Sequence, residues 1–434
     1  REGARARCVM TDACSPLATA PVDSTPRLAV LGVISSPANE GRRNWARRFQ
    51  EGRPDLLLRF VIGAVGLPAL QCRRLLREER AHGGMFLVPA SDNAKVGCVD
   101  KSFAWLMAAV QAFPATQFII KTDDDSATHM ADLAALLSMR ELQSHPHVYA
   151  GWAQFASALP ATWQQCGWGA SPASALRKRQ GCAGGAEGPF VFATGALEIL
   201  SFELARKVFG SGWTKRFVRS ARAAALGGRA RPEARWGCYT EDAMVGLAVH
   251  QTVQAAQLGV LFVALNERIV DVQTFLSCRA LSGWLGGGGA PVLTLHKFEP
   301  LESALRANEA VEDGNNVRER AEGKPLVRHK HAHARANRLV REHVEAGLQG
   351  RTPGWQRAGA WTLACRNRTS GDPFFTLPGV AEFGWQSCWL KAGAPARRMS
   401  SADAHKYCRP LFAAVESGPL VGRDTERDAH GSRR

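Results

Sequence analysis

The stretch QFIIKTDDDS (117–126) decides the fold, because it joins a short apolar run directly to three consecutive carboxylates. Continuous apolar runs of this length are typical of strands that are buried on both faces of a sheet. Open α/β sheets bind ligands at the carboxyl ends of such strands. Asp123, Asp124 and Asp125 therefore predict a functional site at this edge, and the alternative is an Asx turn or a cap for the following helix.

Strand-like and helix-like segments alternate on both sides of this stretch. The alternation favours parallel pairing and a doubly wound α/β sheet. The expected strands are RLAVLGVIS (27–35), LLLRFVIGAVG (56–66), MFLVP (85–89), QFIIK (117–121), HVYAGWAQF (147–155), GVLFVAL (259–265) and PVLTLHKF (291–298), and the expected helices cover 41–50, 70–80, 99–113 and 131–142, with a strand turning into a helix over 189–209.

The chain divides into one large and several small parts. Residues 1–26 lack periodicity and are predicted to be a disordered tail or stem remnant, whereas residues 27–300 carry the α/β pattern. Residues 301–350 interleave Glu and Arg, which is typical of a solvated helical linker. Residues 351–412 contain Cys and Trp and are predicted to form a small module, followed by a disordered tail over 413–434.

The composition is that of a globular protein with a strongly basic balance. With 45% hydrophobic and 22% charged residues, the 434-residue chain is not disordered throughout, collagen-like or a coiled coil. Its net charge of +16 raises three candidate partners, namely nucleic acid, an anionic membrane surface and a phosphate-bearing small molecule. A nucleic-acid-binding protein is disfavoured, because no reader motif is recognisable and the basic residues are spread along the chain.

The cysteines and the first residues bear on the cellular compartment. Eleven cysteines include no C-x-x-C pair, which disfavours a zinc ribbon or a thioredoxin-like site and leaves disulfides or buried free thiols. The sequon Asn367-Arg368-Thr369 agrees with a secretory-pathway lumen. The sequence starts at Arg1 without an apolar signal segment, and we expect any membrane anchor to lie in a missing N-terminal segment.

Further candidate site residues have side chains that are common in active sites and metal sites. YTEDAMVG (239–246) places Glu241 and Asp242 ahead of an apolar helix, where an acid is either an N-terminal cap or a general base. His296, in the last predicted strand, is either packed or a ligand for a transition metal. Trp152 lies in a predicted strand, where a core position is common for a tryptophan.

In order and spacing these segments resemble the β-1,3-galactosyltransferase-like glycosyltransferases, which include fringe and the β-1,3-N-acetylglucosaminyltransferases. The strongest likeness is that of FIIKTDDDS (118–126) to the family's Lys-Thr-Asp-Asp-Asp element. The other similar pieces are RRNWARRF (42–49), LLLRFVIG (56–63), GPFVFATGALEILSFELA (188–205) and TEDAMVG (240–246), the last of which resembles the family's Glu-Asp-Val-x-x-Gly segment.

The segments associated with the acceptor depart from the family pattern. Ser126 and Ala127 stand where an aromatic residue usually follows the triple Asp, and Ala196-Leu197 replaces a Gly-Tyr pair. These changes fall where acceptor recognition is expected. They favour an inactive, transferase-like glycan-binding protein as the alternative to an enzyme.

The resemblance implies a GT-A-type nucleotide-sugar transferase fold, in which helices flank a mostly parallel central sheet. It implies inverting β-1,3 transfer of a hexose, most often galactose, from a UDP-sugar to a hydroxyl of an acceptor glycan or glycoprotein. It further implies Mn²⁺ or another divalent cation, the lumen of the Golgi or another secretory compartment, and a type II membrane protein in full-length form. Nucleic acid is not expected as a partner.

The resemblance also implies roles for individual residues. Asp242 is the expected catalytic base. The expected metal ligands are Asp123, Asp125 and His296. The expected nucleotide-sugar contacts are Arg42, Arg43, Trp45, Lys121 and Asp124, and Asp124 would orient the ribose or a metal-bound water. The residues expected on the acceptor side are Gly195, Glu241 and Trp152.

Some of these residues have a second interpretation from the sequence alone. Arg42, Arg43 and Trp45 fit an amphipathic helix with a core tryptophan and exposed arginines equally well. Gly195 also fits a plain strand-to-helix turn. The stretch 219–235, with five arginines, is predicted to be a mobile basic loop whose charge steers a UDP-sugar toward the site.

Overall fold

The structure, a computed structural model, describes part of the chain. It covers residues 22–50, 53–92, 97–159, 164–170, 174–175, 187–226, 241–266, 268–271, 293–296, 361–366 and 386–392. The predictions for the first 21 residues, the 301–350 linker, the sequon at Asn367 and the 413–434 tail lie outside these residues.

Strands and helices alternate along the described residues largely as predicted. The strands are β1 (Arg27–Ile34), β2 (Leu56–Val65), β3 (Met85–Ser91), β4 (Thr116–Asp123), β5 (Ala127–Thr128), β6 (Val148–Leu159), β7 (Gln164–Gly169), β8 (Glu187–Ser201), β9 (Leu261–Ala264), β10 (Ile269–Asp271), β11 (Thr294–His296), β12 (Trp361–Arg366) and β13 (Gln386–Ala392). The helices are α1 (Glu40–Gln50), α2 (Ala69–His82), α3 (Gly97–Ala112), α4 (Met130–Leu137), α5 (Arg140–Ser144), α6 (Phe202–Phe209), α7 (Gly212–Leu226) and α8 (Glu241–Ala256). The helix predicted over 131–142 is two short helices, α4 and α5.

Most of these strands belong to one sheet. In the part of the chain that is described, its order is β12-β13-β9-β6-β8-β4-β1-β2-β3, and β7 pairs with β6. Pairing is parallel from β4 through β1 and β2 to β3, and again from β6 through β9 to β13. Strand β8 runs antiparallel to both β4 and β6. The predicted α/β fold with a mostly parallel central sheet flanked by helices is confirmed. Among the described strands of this sheet, β8, β7 and β12 pair antiparallel and depart from a doubly wound pattern.

Apolar side chains cover both faces of the sheet, because successive strand residues point to opposite faces. In β1, Val30 and Ile34 pack in the core layer that includes residues of α3, α6 and α8. Leu31 and Val33 pack in the other layer, with residues of α2 and α4. The carboxyl ends of β1 and β4 therefore meet at one edge of a sheet that is buried on both sides.

Gly32 lets α3 lie directly on the sheet. A Cβ at this position would come within 2.1 Å of the Trp105 indole. Trp105 Nε1 donates a hydrogen bond to the Ile120 carbonyl at 3.1 Å. The indole thus holds α3 against β1 and β4, next to the carboxylates that follow β4.

The two described strands from residues 351–412 extend the main sheet. β13 pairs in parallel with β9 and antiparallel with β12, in a register that aligns Cys365 with Cys388. These strands therefore continue the sheet of residues 27–300, and the boundaries of a separate module stay a prediction. Cys72, buried in α2, is disulfide-bonded, so for this cysteine the first of the two alternatives holds.

The basic stretch 219–235 begins as helix. Helix α7 runs to Leu226, so the prediction of a loop is wrong for residues 219–226, where alanines between the arginines favour helix. The remainder of the stretch lies outside the described residues. Within the described ranges, no helix is both long enough and apolar enough to cross a membrane.

A buried histidine contributes to the way the fold responds to acid. His250 of α8 is 7% exposed and stacks on Phe190 of β8, with ring centroids 5.6 Å apart. Burial lowers the pKa of His250 to about 4, whereas an unfolded histidine titrates near pH ~6.5. Between these values the unfolded chain binds the proton and the folded chain does not, so stability falls as the pH drops.

Between pH 7 and pH 5, we expect the free energy of unfolding to fall by about 2 kcal/mol less in His250→Leu than in the parent chain. The reason is that the unfolded variant has no imidazole at this position to take up a proton. Urea unfolding at the two pH values measures this difference. His82→Leu, at the exposed end of α2, is the control. An equal loss of stability in the parent chain and in His250→Leu would contradict the prediction.

Candidate active site

The three carboxylates lie where β4 ends and a second, smaller sheet begins. β5 follows them directly and pairs antiparallel with β11, which pairs on its other side with β10. Thr294 pairs with Thr128 and Leu295 with Ala127, and the two threonine hydroxyls are 3.0 Å apart. This register brings the next residue, His296, beside the acids.

Asp123, Asp125 and His296 form a group whose ligand atoms suit a metal, since one atom from each lies within 4.8 Å of the others. His296 Nε2 is 3.7 Å from Asp123 Oδ2 and 3.8 Å from Asp125 Oδ1. Asp125 Oδ1 is buried and accepts no hydrogen bond from the described residues. Because an unsatisfied buried carboxylate oxygen is costly, a divalent cation would relieve it. Two carboxylates and an imidazole fit Mn²⁺ or a similar metal.

The two acids of this group have different electrostatic surroundings. Burial, together with the charge of Asp123, raises the pKa of Asp125 to about 6. Burial also acts to raise the pKa of Asp123, but the Lys121 ammonium and His296 outweigh it, and this pKa is lowered. The protein therefore supplies the positive charge that holds Asp123 as an anion, whereas Asp125 lacks a comparable partner.

Lys121 is a fully buried ammonium that joins these acids to the first turn of α8. Its Nζ lies 2.6 Å from Glu241 Oε1, 3.1 Å from Asp123 Oδ1 and 3.3 Å from Asp242 Oδ1. Burial opposes the charged form, but the surrounding carboxylates raise the pKa of Lys121 well above its usual value. Lys121 therefore stays charged and holds the end of β4 against α8.

The two acids at the start of α8 differ in what they can reach. The Glu241 side chain is 5% exposed and accepts hydrogen bonds from Lys121 and from the Ser102 hydroxyl. The Asp242 side chain is 24% exposed and accepts from Lys121 and from the Gly195 backbone N–H. Burial raises the pKa of both carboxyls, that of Glu241 to about 7. Asp242 is therefore the acid that an external hydroxyl can approach, while Glu241 ties α8 to α3 and β4.

A bulge in β8 carries Gly195 out of the regular strand register. Four residues of β8 (194–197) face the single residue Trp152 of β6, because the pairing shifts there. The flanking pairs are Gly151 with Glu198 and Ala153 with Ala193. Bulges redirect a strand and are common beside active sites. Trp152 is half-buried against the core opposite this bulge, and its place on the acceptor side stays a prediction.

Gly195 lies in close contact with the charged groups. A Cβ at this position would lie 2.6 Å from Lys121 Nζ and 2.7 Å from both Asp123 Oδ2 and Asp242 Oδ1. Such distances are too short for real atoms, so any larger residue would displace the ammonium or a carboxylate. The glycine is therefore part of the site's geometry and not a plain strand-to-helix turn.

We expect Gly195→Ala to lower kcat by about tenfold or more, because the added methyl moves groups whose placement has to hold to within about 1 Å. An assay of the transfer activity that the family resemblance implies, with circular dichroism to check the fold, measures the effect. Gly212→Ala is the matched control, since its Cβ would meet only the end of the Arg216 side chain, at 3.3 Å. Equal activity in Gly195→Ala and Gly212→Ala would contradict the prediction.

Asp124, between the two metal-ligand candidates, makes different contacts. Its Oδ2 accepts hydrogen bonds from Ser35 Oγ at 2.8 Å and Asn39 Nδ2 at 2.7 Å, and its Oδ1 accepts one from Arg42 at 2.8 Å. Asp124 thus fastens the turn after β4 to the end of β1 and the beginning of α1. Its role in orienting a ribose or a metal-bound water stays a prediction.

Arg43 and Trp45 of α1 are buried. Arg43 donates to both carboxylate oxygens of Glu78 on α2, from Nε at 2.9 Å and from Nη2 at 2.6 Å. Trp45 is 3% exposed. Arg43 therefore ties α1 to α2, and of the three α1 residues predicted to contact the nucleotide, Arg42 is the one beside the carboxylates. Nucleotide contacts of all three stay a prediction.

Some residues of this cluster were not among the predicted site residues. Ser102 lies in α3 and binds Glu241, and Asn39 just precedes α1 and binds Asp124. Glu198 is fully buried and lies opposite Lys121 in the pairing of β8 with β4. A usable signal existed for Glu198, because it is the one acid within the apolar run FVFATGALEIL (190–200).

Sequence comparison finds similar proteins for part of the chain. Residues 39–220 match the sequence profile of the family described as Galactosyltransferase. Over 133 residues the chain is 32% identical to mouse beta-1,3-galactosyltransferase 6, a match that covers 29% of this chain and 39% of that relative's length. The family match includes Asp123, Asp125 and Gly195 but ends before Asp242 and His296. The structure brings these last two residues to the matched part.

Proposed function

We propose a specific reaction for this chain, whose residues 39–220 match the galactosyltransferase family. The reaction is metal-dependent, inverting transfer of a hexose from a UDP-sugar to a hydroxyl of an acceptor glycan or glycoprotein. One observation carries the proposal: Asp123, Asp125 and His296 lie beside Asp242, joined to it by Lys121. A metal-ligand group next to a partly exposed acid is what single-displacement transfer requires.

Asp242 is the proposed general base. It takes the proton of the acceptor hydroxyl while that oxygen attacks the anomeric carbon from the face opposite the leaving UDP. The bond between the sugar and the diphosphate breaks as the new glycosidic bond forms, so one displacement inverts the configuration and no covalent intermediate is needed. A carboxylate whose pKa is raised by burial is a better match to this task near neutral pH.

Asp123, Asp125 and His296 would hold Mn²⁺ or another divalent cation. When bound, the cation supplies Lewis-acid chemistry that neutralises the charge developing on the departing diphosphate. Lys121 keeps Asp123 ionised and in place for this task. Arg42, which is bound to Asp124 at the same edge of the sheet, is the proposed contact to the nucleotide.

The finer identity of the substrates follows the family. Galactose is the proposed hexose, with N-acetylglucosamine as the next candidate, and the proposed linkage is β-1,3, as in the name of the mouse relative. The proposed setting is the lumen of the Golgi or another secretory compartment. The net charge of +16 favours the approach of the anionic UDP-sugar by long-range attraction.

Release of UDP from UDP-sugars tests this function. We expect release from UDP-galactose that depends on Mn²⁺, stops with EDTA and rises when acceptor glycans are added. UDP-glucose and UDP-N-acetylglucosamine serve as comparison donors. Binding of acceptor glycans without any UDP release would instead indicate an inactive, glycan-binding relative, and the proposed function would fall.

A further inference from the structure

The outward side of helix α2 is strongly basic. Its sequence, ALQCRRLLREERAH (69–82), mixes four arginines with two glutamates. The four arginines, Arg73, Arg74, Arg77 and Arg80, are all exposed. At 3.6 residues per turn they lie within an arc of about 120° around the helix axis. We call this surface, defined by the four arginines, the α2 basic face.

The two glutamates of α2 do not compensate these charges, because both are bound inside the fold. Glu78 is buried and accepts hydrogen bonds from Arg43 and Arg47 of α1. Glu79 Oε2 accepts a hydrogen bond from the Met85 backbone N–H at 2.7 Å. The fold therefore separates the charges of α2, with the acids toward the protein and the arginines toward the solvent.

Within the described part of the chain, the arginines of the α2 basic face pair with no carboxylate. Another exposed helical arginine, Arg206 of α6, does have such a partner, Glu203, at 2.6 Å. Like charges three or four residues apart destabilise a helix. Arg77 has one arginine of the face four residues before it and another three residues after it. The arrangement thus works against the stability of α2, and a ligand of opposite charge would relieve it.

The α2 basic face offers charge but little apolar surface. Leu70, 53% exposed, lies within the same arc, whereas Cys72 and Leu75 of this helix are buried in the core. Protein partners rely on buried apolar and aromatic anchors, and a helix that lies on a membrane needs an apolar face. Single-stranded nucleic acid stacks on aromatic rings, which the sequence of α2 lacks. The face therefore fits a polyanion that is held by charge and hydrogen bonds alone.

We propose that the α2 basic face binds a linear glycan that carries sulfate or carboxylate groups. A guanidinium group is a planar fork that holds such anions through two parallel hydrogen bonds. Arg73, Arg77 and Arg80 extend over about 10 Å along the helix axis, so a chain that lies along α2 contacts several of them at once. The choice of a glycan among polyanions rests on the proposed function, in which the acceptor is a glycan or glycoprotein.

The α2 basic face lies apart from the proposed transfer site. α2 packs in the core layer on one face of the sheet, whereas α8, which carries Asp242, packs in the layer on the other face. A glycan bound to α2 is therefore outside the cleft in which transfer is proposed. It docks an anionic partner to the enzyme and does not itself occupy the place of the reacting hydroxyl.

Titration calorimetry of the full chain with a sulfated heparin oligosaccharide tests the inference. We expect Arg73→Gln/Arg77→Gln to lower the affinity by about fivefold, since one exposed ion pair contributes roughly a factor of two to three. The affinity of this variant should also fall less steeply with salt, because fewer counterions are released on binding. A hyaluronan oligosaccharide, which carries carboxylates without sulfate, is the second probe, and α2-dependent binding of either probe supports the inference.

Lys215→Gln/Arg216→Gln is the matched control. It removes two exposed charges from α7, which packs on the other face of the sheet. We expect its affinity for the heparin oligosaccharide to stay within about twofold of that of the parent chain. Both double variants should unfold at the temperature of the parent chain, because all four side chains are exposed.

Several results would overturn the inference. An equal loss of affinity in the two double variants would show that binding depends on net charge alone. Failure of the parent chain to bind either glycan probe would do the same, as would tighter binding of duplex DNA or phosphatidylserine vesicles through the same arginines. The proposed function is tested separately by UDP release, so a chain that releases no UDP but binds glycan through α2 loses that function and keeps this inference.

Discussion

The Asp242→Asn variant is expected to lose about 10²- to 10⁴-fold in kcat, the usual contribution of a general base. The amide cannot take the proton of the acceptor hydroxyl, while the side chain keeps its size and an oxygen that can accept from the Gly195 N–H. The fold should survive, because burial already disfavours the ionised form of Asp242 and a neutral side chain removes a charge from a crowded acidic cluster.

The measurement is a steady-state transfer assay together with thermal unfolding. The KM for the donor and the Mn²⁺ concentration for half activation should change little, because Asp242 is not in the metal-ligand group. Glu203→Gln is the matched control, since Glu203 is an acid in the first turn of another helix, α6, and is exposed in a pair with Arg206. Turnover in Asp242→Asn equal to that of Glu203→Gln would show that the base is another residue.

The central strands could be predicted from the sequence because their apolar runs are continuous. β1, β2 and β4 are largely buried on both faces, and the sequences of such strands are continuously apolar. A continuous apolar run of this length predicts a buried strand directly. The carboxylates after β4 then identify the functional edge, since the carboxyl ends of parallel strands meet there. For this part of the molecule, local pattern and general topology are sufficient.

The assembly of the site depends on strand register, which no local pattern contains. His296 reaches Asp123 and Asp125 because β11 pairs with β5, a strand of only two residues. The bulge of β8 that places Gly195 against Lys121 depends equally on a shift of pairing with β6. The sequence identified the acids and the histidine as candidates, and the family resemblance implied that they share one site. The strand pairing shows which contacts bring them together.

Burial of the arginines likewise depends on partners that lie elsewhere in the chain. Arg42 and Arg43 are adjacent in α1, and the sequence treats them alike. Arg43 forms a buried ion pair with Glu78 on α2, whereas Arg42 forms an ion pair with Asp124 at the functional edge. Two neighbours on a helix point about 100° apart, so one contributes to the packing and the other to the site.

The Asp125→Ala variant is expected to lose about 10³-fold in kcat/KM, and the loss should come with the loss of the Mn²⁺ response. Lewis-acid stabilisation of a leaving group contributes several kcal/mol, and each ~1.4 kcal/mol is a factor of ten in rate. Asp125 Oδ1 is buried without a hydrogen-bond partner among the described residues, so removal of the side chain also removes an unsatisfied polar atom. The metal-free protein should therefore unfold at a temperature no lower than the parent chain.

Thermal unfolding with and without Mn²⁺ separates these effects. Mn²⁺ should raise the Tm of the parent chain in proportion to its affinity and leave the Tm of Asp125→Ala unchanged, because a ligand stabilises only the state that binds it. Asp55→Ala is the matched control, since Asp55 precedes β2 at the opposite edge of the sheet and pairs with Arg53 near the surface. An Mn²⁺-dependent rise in Tm that persists in Asp125→Ala would place the metal elsewhere, and the carboxylates after β4 would then be caps for the chain that follows them.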